Sequence, residues 1–231
     1  MNRIFILFLL IITSLNAQSS KDLDEQKKVN PNFYLEDQLY VGVTYNILTN
    51  LPNSVRQSGF SNSLFFGFIK DLPTNKERNF GFGIGLGYDL DTYFQNMKVY
   101  ENGNETLFEN FQEDESFKNN KLVFHSIEAP LEVRFRTSTL EKYKFWRVYT
   151  GIKLKYIFYS KAAYKNDGTQ KANNLENLRK FNYGLTLGAG NGTWNIHAYY
   201  GLKPIFTDAY FNGDELIKMK DLKIGLIFYI L

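Results

Sequence analysis

Two pairs of acidic residues lie inside segments that otherwise alternate between apolar and polar residues. Glu128 and Glu132 are four residues apart in HSIEAPLEVRFRT, and Asp89 and Asp91 are two apart in GYDLDTY. Glycosidases use two carboxyl groups about 5–9.5 Å apart. At about 3.3 Å per strand residue the Cβ atoms of the glutamates lie about 13 Å apart, too far for that reaction. The aspartates, at about 7 Å, are close enough for a hard cation, but an ion-paired or solvated pair is the favoured interpretation.

Other residue types also exclude classes of chemistry. The 231 residues include no cysteine and only two histidines, His125 and His197, which we interpret as structural. The glycine run GFGIGLG lacks the G-x-G-x-x-G spacing and the strand-to-helix context of a nucleotide-binding loop. A formal net charge of +3 is too small to indicate a nucleic-acid partner. The sequence therefore predicts no enzyme, no cofactor, no metal ion and no nucleic-acid binding.

Alternation with a period of two predicts eight strands and no helix. The strands span residues 39–48, 62–70, 79–94, 121–136, 145–159, 178–190, 193–206 and 221–231. Short connections alternate with long ones, which places every long connection at one end of the sheet. Outer-membrane barrels share this arrangement, with short turns on the periplasmic side and long loops outside. We therefore predict an all-β fold, an eight-stranded antiparallel up-and-down transmembrane β-barrel in the bacterial outer membrane.

The two faces of the predicted strands differ as the two sides of a barrel wall would. One face is apolar and aromatic, as contact with lipid requires. The other face carries charged residues and the glycines 81, 83, 85 and 87. An eight-stranded lumen is only wide enough for side chains to fill it, so glycines on one strand leave room for long side chains from another. We predict an interlocked lumen network of Asp89, Asp91, Glu128, Glu132, Arg134, Arg136, Arg147, Lys153, Lys155, Lys203 and Lys223.

A soluble lipocalin-like barrel is the alternative fold, with its apolar face inside and its polar face outside. It would expose the glycine row and crowd large aromatic side chains into the lumen, so the membrane barrel is favoured. Pro130 in the fourth strand lacks a ladder donor, and it predicts a bulge or a local kink there.

The N-terminal residues have the layout of a secretory signal peptide. A basic start, MNR, precedes the apolar run IFILFLLII and a polar stretch that ends at Ala17. We predict a signal peptide over residues 1–17, a polar periplasmic lead-in over 18–36 and the barrel domain over 37–231.

Three segments resemble strands of a Bacteroidetes outer-membrane β-barrel family often labelled PorT-like: HSIEAPLEVRFRT, FWRVYTGIKLKYIF and FNYGLTLGAGNGTWNIHAYYGLKPIF. The matching positions are Ile127, Pro130, Leu131, Arg134, Gly151, Gly188, Gly190, Tyr200, Gly201 and Leu202. The resemblance covers most of residues 39–231 and implies an outer-membrane barrel. The namesake takes part in type IX secretion, so the resemblance also implies a secretion-associated role as one candidate.

These observations favour a non-enzymatic barrel with a structural, assembly or secretion-associated role. A narrow porin-like channel for small solutes is one alternative, and an outer-membrane adhesin or enzyme is another. We expect a monomeric barrel whose partners are outer-membrane lipid and other envelope or secretion-system proteins. The connection 95–120 carries six acids together with Phe108, Phe111 and Phe117, and it is the predicted partner surface.

Overall fold

A computed structural model describes residues 38–230, apart from 76, 104, 113–117, 138–145, 166–168 and 192. The predicted signal peptide, the lead-in and Phe117 lie outside the described residues. Within the described part of the chain, no helix is long and apolar enough to cross a membrane.

Eight long strands form the wall of a barrel, and all eight predicted strands are confirmed. Their bounds are β1 (Gln38–Thr49), β2 (Asn62–Pro73), β3 (Phe80–Phe94), β6 (Lys118–Arg136), β7 (Trp146–Lys165), β9 (Phe181–Asn191), β10 (Trp194–Gly201) and β13 (Lys220–Ile230). Five shorter strands lie in the long connections: β4 (Met97–Asn102), β5 (Glu105–Asn110), β8 (Thr169–Asn173), β11 (Tyr210–Phe211) and β12 (Glu215–Leu216).

The wall closes completely through antiparallel pairs. The order around the barrel is β6, β3, β2, β1, β13, β10, β9 and β7, and β7 pairs back to β6. The first and last strands close one seam, with Leu39 opposite Ile230. The predicted all-β, eight-stranded antiparallel barrel is therefore confirmed. Closure pairs the wall's backbone groups with one another, which a lipid environment demands.

Alternation along each wall strand separates an apolar outer face from a polar inner face. In β1, Val41, Val43 and Tyr45 are exposed, whereas Tyr40 and Thr44 are buried. The outer face of every wall strand carries large apolar or aromatic residues in this way. Trp146 and Trp194 are about two-thirds exposed at the short-turn end. The lipocalin-like alternative is therefore wrong, because its apolar residues would point into the lumen.

The glycine row of β3 accommodates large side chains from neighbouring strands. A methyl group placed on Gly83 would approach Nε of Arg134 to 2.6 Å, and one on Gly85 would approach Cγ of Pro130 to 2.9 Å. A methyl group on Gly87 would overlap the hydroxyl group of Tyr40. Glycine at these positions is what lets the lumen fill with guanidinium, pyrrolidine and phenol groups.

Pro130 does not produce the predicted bulge. On either side of the proline, β6 pairs with β3 through Leu131–Ile84 and Glu128–Gly87. These pairs are three residues apart on both strands, so neither strand has the extra residue that defines a bulge. The proline only interrupts pairing with β3 locally, since it lacks a donor and its ring occupies the space above Gly85. The irregularity nearest in the chain is instead a register shift between His125 and Ser126 in the β6–β7 ladder.

The long connections fold over one end of the barrel into a cap, which we define as β4, β5, β8, β11 and β12. The sequence predicted these segments as loops. Four of the strands form a second sheet in the order β12, β11, β5 and β4, and β8 extends the β7 ladder. The cap and the loop-side ends of the wall share a second apolar cluster, the cap core. Its buried members are Leu48, Val55, Tyr93, Met97, Val99, Phe108, Leu122, Phe124, Ile157, Ala162, Ala172, Leu175, Leu178, Ile205, Phe206, Ala209, Phe211, Ile217 and Met219.

Candidate functional site

The loop-side third of the lumen holds two aspartates between two lysines. β3 places Asp89 and Asp91 on its inner face, where Nζ of Lys155 from β7 lies 2.7 Å from a carboxylate oxygen of each. Nζ of Lys223 from β13 lies 3.2 Å from Asp89 and also contacts Asp91. All four side chains are buried. Each carboxylate is thus held by two ammonium groups, the ion-paired arrangement that the sequence favoured.

The middle of the lumen is organised around Glu128 of β6. The Tyr40 hydroxyl donates to Oε1 of Glu128 at 2.8 Å, and Nζ of Lys153 lies 2.9 Å from Oε2. The same ammonium group lies 4.5 Å from the ring centroid of Phe65. His197 from β10 also faces inward and packs against that ring at 5.4 Å. Charge and aromatic area together fill the centre of the barrel.

The turn-side third of the lumen is built around Arg134, which is fully buried. Its Nη2 lies 3.0 Å from Glu132 and its Nη1 lies 3.5 Å from Asp71 of β2. The guanidinium group stacks 4.3 Å from the ring centroid of Tyr149. Arg136 binds the second oxygen of Asp71 at 2.5 Å. Arg147, also buried, faces the rings of Tyr149 and Tyr229 at under 6 Å.

Acidic and basic side chains balance within the described lumen. The buried acids of the wall strands are Asp71, Asp89, Asp91, Glu128, Glu132 and Asp221. The buried bases are Arg134, Arg136, Arg147, Lys153, Lys155 and Lys223. Six negative charges thus meet six positive ones. Small cavities line these charges, one beside Asp91 and one beside Glu128, and each of them has about 10 Å³, which is the space of one water molecule.

Ten of the eleven residues predicted to form the lumen network have buried side chains on inner faces of the wall. Lys203 is the exception, and its predicted place in the lumen is wrong. β10 ends at Gly201, two residues before Lys203, and the backbone bends at Leu202 and Lys203, so the alternation of the strand does not continue to Lys203. The Lys203 side chain is exposed and faces the ring of Tyr183.

Three further residues of the lumen were not predicted from the sequence, although each lies on the inward-facing parity of its strand. Asp71 lies one residue beyond the predicted second strand, yet it keeps the inward parity of Ile69. Asp221 shares parity with Lys223, and its Oδ2 accepts a hydrogen bond from Tyr93 at 3.2 Å. Tyr40 has the inward parity of β1.

The described part of the predicted partner surface in 95–120 is folded mainly into β4 and β5 of the cap. Phe108 is buried in the cap core, with its ring centroid 5.0 Å from that of Phe206. Glu101 accepts a hydrogen bond from the Asn173 amide at 2.9 Å, and Glu109 accepts one from Tyr100 at 2.8 Å. Phe108 therefore cannot anchor a partner unless the cap unfolds.

The lumen arrangement is suited to holding the wall together rather than to a reaction. Each of the six acids has a cation or a hydroxyl group within hydrogen-bonding or ion-pairing distance. Among residues 38–230 as described, there is no group of three or more histidines, cysteines and acids that would hold a metal ion.

Comparison with known proteins identifies a family. The outer membrane protein β-barrel domain family matches residues 16–207. Among solved structures, the chain aligns with Ail, the attachment invasion locus protein of Yersinia pestis, at 12% identity and a TM-score of 0.28. That alignment covers 84% of this chain and 97% of the Ail chain, but similarity at this level adds nothing to the family match. The curated proteins give no match.

Proposed function

The chain belongs to the outer membrane protein β-barrel domain family, and we propose that in the bacterial outer membrane it is a closed, non-enzymatic barrel with a structural or assembly role. The observation that carries this proposal is the filled lumen. Salt bridges lie at three levels of the lumen, and the small cavities beside Asp91 and Glu128 have room for about one water molecule each. A solute channel would need these pairs to separate.

The balanced charge of the lumen argues further against a channel. Ion-selective pores place an excess of one charge along the pathway. Here six buried acids face six buried bases, so neither cations nor anions gain an attractive path. The cap core then closes the loop-side end with a second layer of apolar side chains.

The folded cap is the surface that we propose for contact with other envelope proteins. Tyr210 and Leu216 are paired across β11 and β12 and are 49% and 42% exposed, while their neighbour Phe211 is buried in the cap core. An exposed aromatic residue on a fixed scaffold is the kind of residue that anchors protein interfaces. The resemblance to PorT-like barrels makes components of type IX secretion the first partners to test.

Two measurements test the proposal. The purified full chain in planar bilayers should give no stable conductance at moderate voltage, whereas a porin measured in parallel should. In mild-detergent co-purification after cross-linking, Tyr210→Ser/Leu216→Ser should lose envelope partners. The matched variant Gln170→Ser/Lys171→Ser, which changes exposed residues of β8, should keep them. Steady conductance by the native chain would overturn the closed barrel, and identical partner sets for the two variants would overturn docking at β11 and β12.

A further inference from the structure

The charges on the two faces of the wall are distributed unequally. All six acids of the eight wall strands are buried, as are six of the bases. The wall-strand charges that are described as exposed or half-exposed all belong to lysines: Lys70, Lys121, Lys161, Lys165 and Lys220. A lipid-facing wall that carries only positive charge outside its apolar band favours contact with anionic groups.

Two lysines at the loop-side end of β10 and β13 each lie over a tyrosine ring of the outer face. Nζ of Lys220 is 5.8 Å from the ring centroid of Tyr200, and Nζ of Lys203 is 6.0 Å from that of Tyr183. We call these four residues the lysine–tyrosine patch. Neither ammonium group has a carboxylate within ion-pair distance among the described residues, unlike the lysines of the lumen.

Strand pairing places Tyr183, Tyr200 and Lys220 on three adjacent strands, and Lys203 lies two residues beyond the end of β10. Tyr200 of β10 is opposite Leu222 of β13 and Leu185 of β9. Along the chain, Lys220 is two residues from Leu222 and Lys203 is three residues from Tyr200, both toward the loop side. The backbone amide of Leu202 donates a hydrogen bond to the carbonyl of Tyr183 at 3.0 Å, which continues the pairing of β10 with β9. The two lysine–tyrosine pairs therefore lie on neighbouring strands at the loop-side end of the wall.

The height of the patch matches the boundary of the apolar band. From Ile230 to Lys220, the outward residues of β13 are all apolar until Lys220 itself. Ten residues span about 34 Å along a strand, or roughly 26 Å along the axis at a tilt of about 40°. The apolar band of an outer-membrane barrel is about 25 Å tall, so Lys220 lies at the loop-side headgroup level.

We propose that the lysine–tyrosine patch binds a phosphate group of an anionic lipid in the loop-side leaflet. The two ammonium groups provide charge and hydrogen-bond donors for phosphate oxygens. The tyrosine rings hold the ammonium groups at the membrane boundary by cation–π contact, and their own amphipathic character suits that depth. The ligand is the lipid-anchored phosphate, because the tyrosine side of the patch faces acyl chains.

The test titrates bisphosphorylated lipid A into the full-length protein in nonionic detergent and counts bound lipid by native mass spectrometry. Lys203→Gln/Lys220→Gln should weaken binding roughly 25-fold. That factor corresponds to about 1 kcal/mol for each lysine, at 1.4 kcal/mol per tenfold. The matched control Lys165→Gln/Lys171→Gln removes two exposed lysines of the β7–β8 hairpin and should bind as the native chain does. A heat-dependent shift on a detergent gel checks that both variants are folded.

The remaining outcomes separate phosphate recognition from other sources of binding. Dephosphorylated lipid A should bind the native chain as weakly as the phosphorylated form binds the patch variant. Millimolar inorganic phosphate should leave lipid binding unchanged, since it lacks the acyl chains. Equal binding of both lipid forms, equal losses in the two double variants, or displacement by inorganic phosphate would each overturn the proposal.

Discussion

At the scale of single residues, the lumen is held by charges whose partners come from distant parts of the chain. Removing one partner of a buried ion pair is destabilising by about 3–5 kcal/mol, because the remaining charge stays buried without compensation. Glu128 is fully buried between Lys153 and Tyr40. We expect Glu128→Gln to lower the free energy of unfolding by an amount in that range, measured by urea titration in detergent with fluorescence of Trp146 and Trp194.

The matched control for that prediction is Glu105→Gln, which makes the same chemical change at an exposed position of the cap. Its free energy of unfolding should stay within about 0.5 kcal/mol of the native value. If both variants unfold at the native urea midpoint, water solvates the lumen and the ion pairs contribute little.

The glycine row of β3 makes a second prediction at this scale. Alanine at Gly87 would overlap the Tyr40 hydroxyl and force it from Glu128, so Gly87→Ala should destabilise the barrel by about 1–3 kcal/mol. At Gly188 the nearest atoms to an added methyl group are 3.8 Å away. Gly188→Ala should therefore be neutral or stabilising by up to about 1 kcal/mol, because alanine loses less conformational entropy on folding. Equal urea midpoints for the two variants would contradict this.

Alternation in the sequence was sufficient to assign most residues to the inner or outer face, but it could not assign ion-pair partners. Lys155 binds Asp91 across 64 positions and Lys223 binds Asp89 across 134. Which charges meet across a lumen depends on how far neighbouring strands are staggered, and no local pattern encodes that stagger. Lys203 was misplaced because β10 ends at Gly201 and the backbone bends before the alternation reaches Lys203.

At the scale of elements, the cap shows where sequence reasoning is weakest. β11 and β12 have only two residues each, and β4 and β5 have six. Segments this short carry too few alternations to be recognised, and their pairing requires a folded barrel beneath them. The parallel bridge between Phe211 of β11 and Phe108 of β5 joins two connections that are about a hundred residues apart.

Packing in the cap core predicts that the cap can be destabilised while the barrel wall stays folded. Phe108→Ala removes a buried ring that packs on Phe206, and losing a core phenylalanine costs about 3–5 kcal/mol. We expect limited proteolysis to cut the cap connections of this variant while the eight wall strands stay protected. Leu107→Ala, half-buried on the opposite side of β5, is the matched control and should leave the cap as resistant as in the native chain. Equal resistance in both variants would show that the cap does not depend on this packing.

At the scale of the whole molecule, closure of the wall predicts heat-modifiable migration. A closed barrel stays compact in mild detergent because none of its eight strands has a free edge. Unboiled protein should therefore migrate differently from boiled protein on a detergent gel, and circular dichroism of the unboiled sample should show β-sheet. The closed wall would be contradicted if unboiled and boiled protein migrated identically and the unboiled sample already gave the circular dichroism spectrum of an unfolded chain.

The seam between β1 and β13 gives the wall a circular order. Leu39 and Ile230 are paired at the short-turn end of this seam. Pro73 and Gly81 are paired in the same way at the short-turn end of β2 and β3, where a short turn joins the two strands. A chain that links residue 230 to residue 38 through a short turn, and opens instead near residue 75, keeps all eight strand pairs and every lumen ion pair. We therefore expect a circularly permuted barrel to fold, because the closed wall does not depend on which strand comes first in the chain.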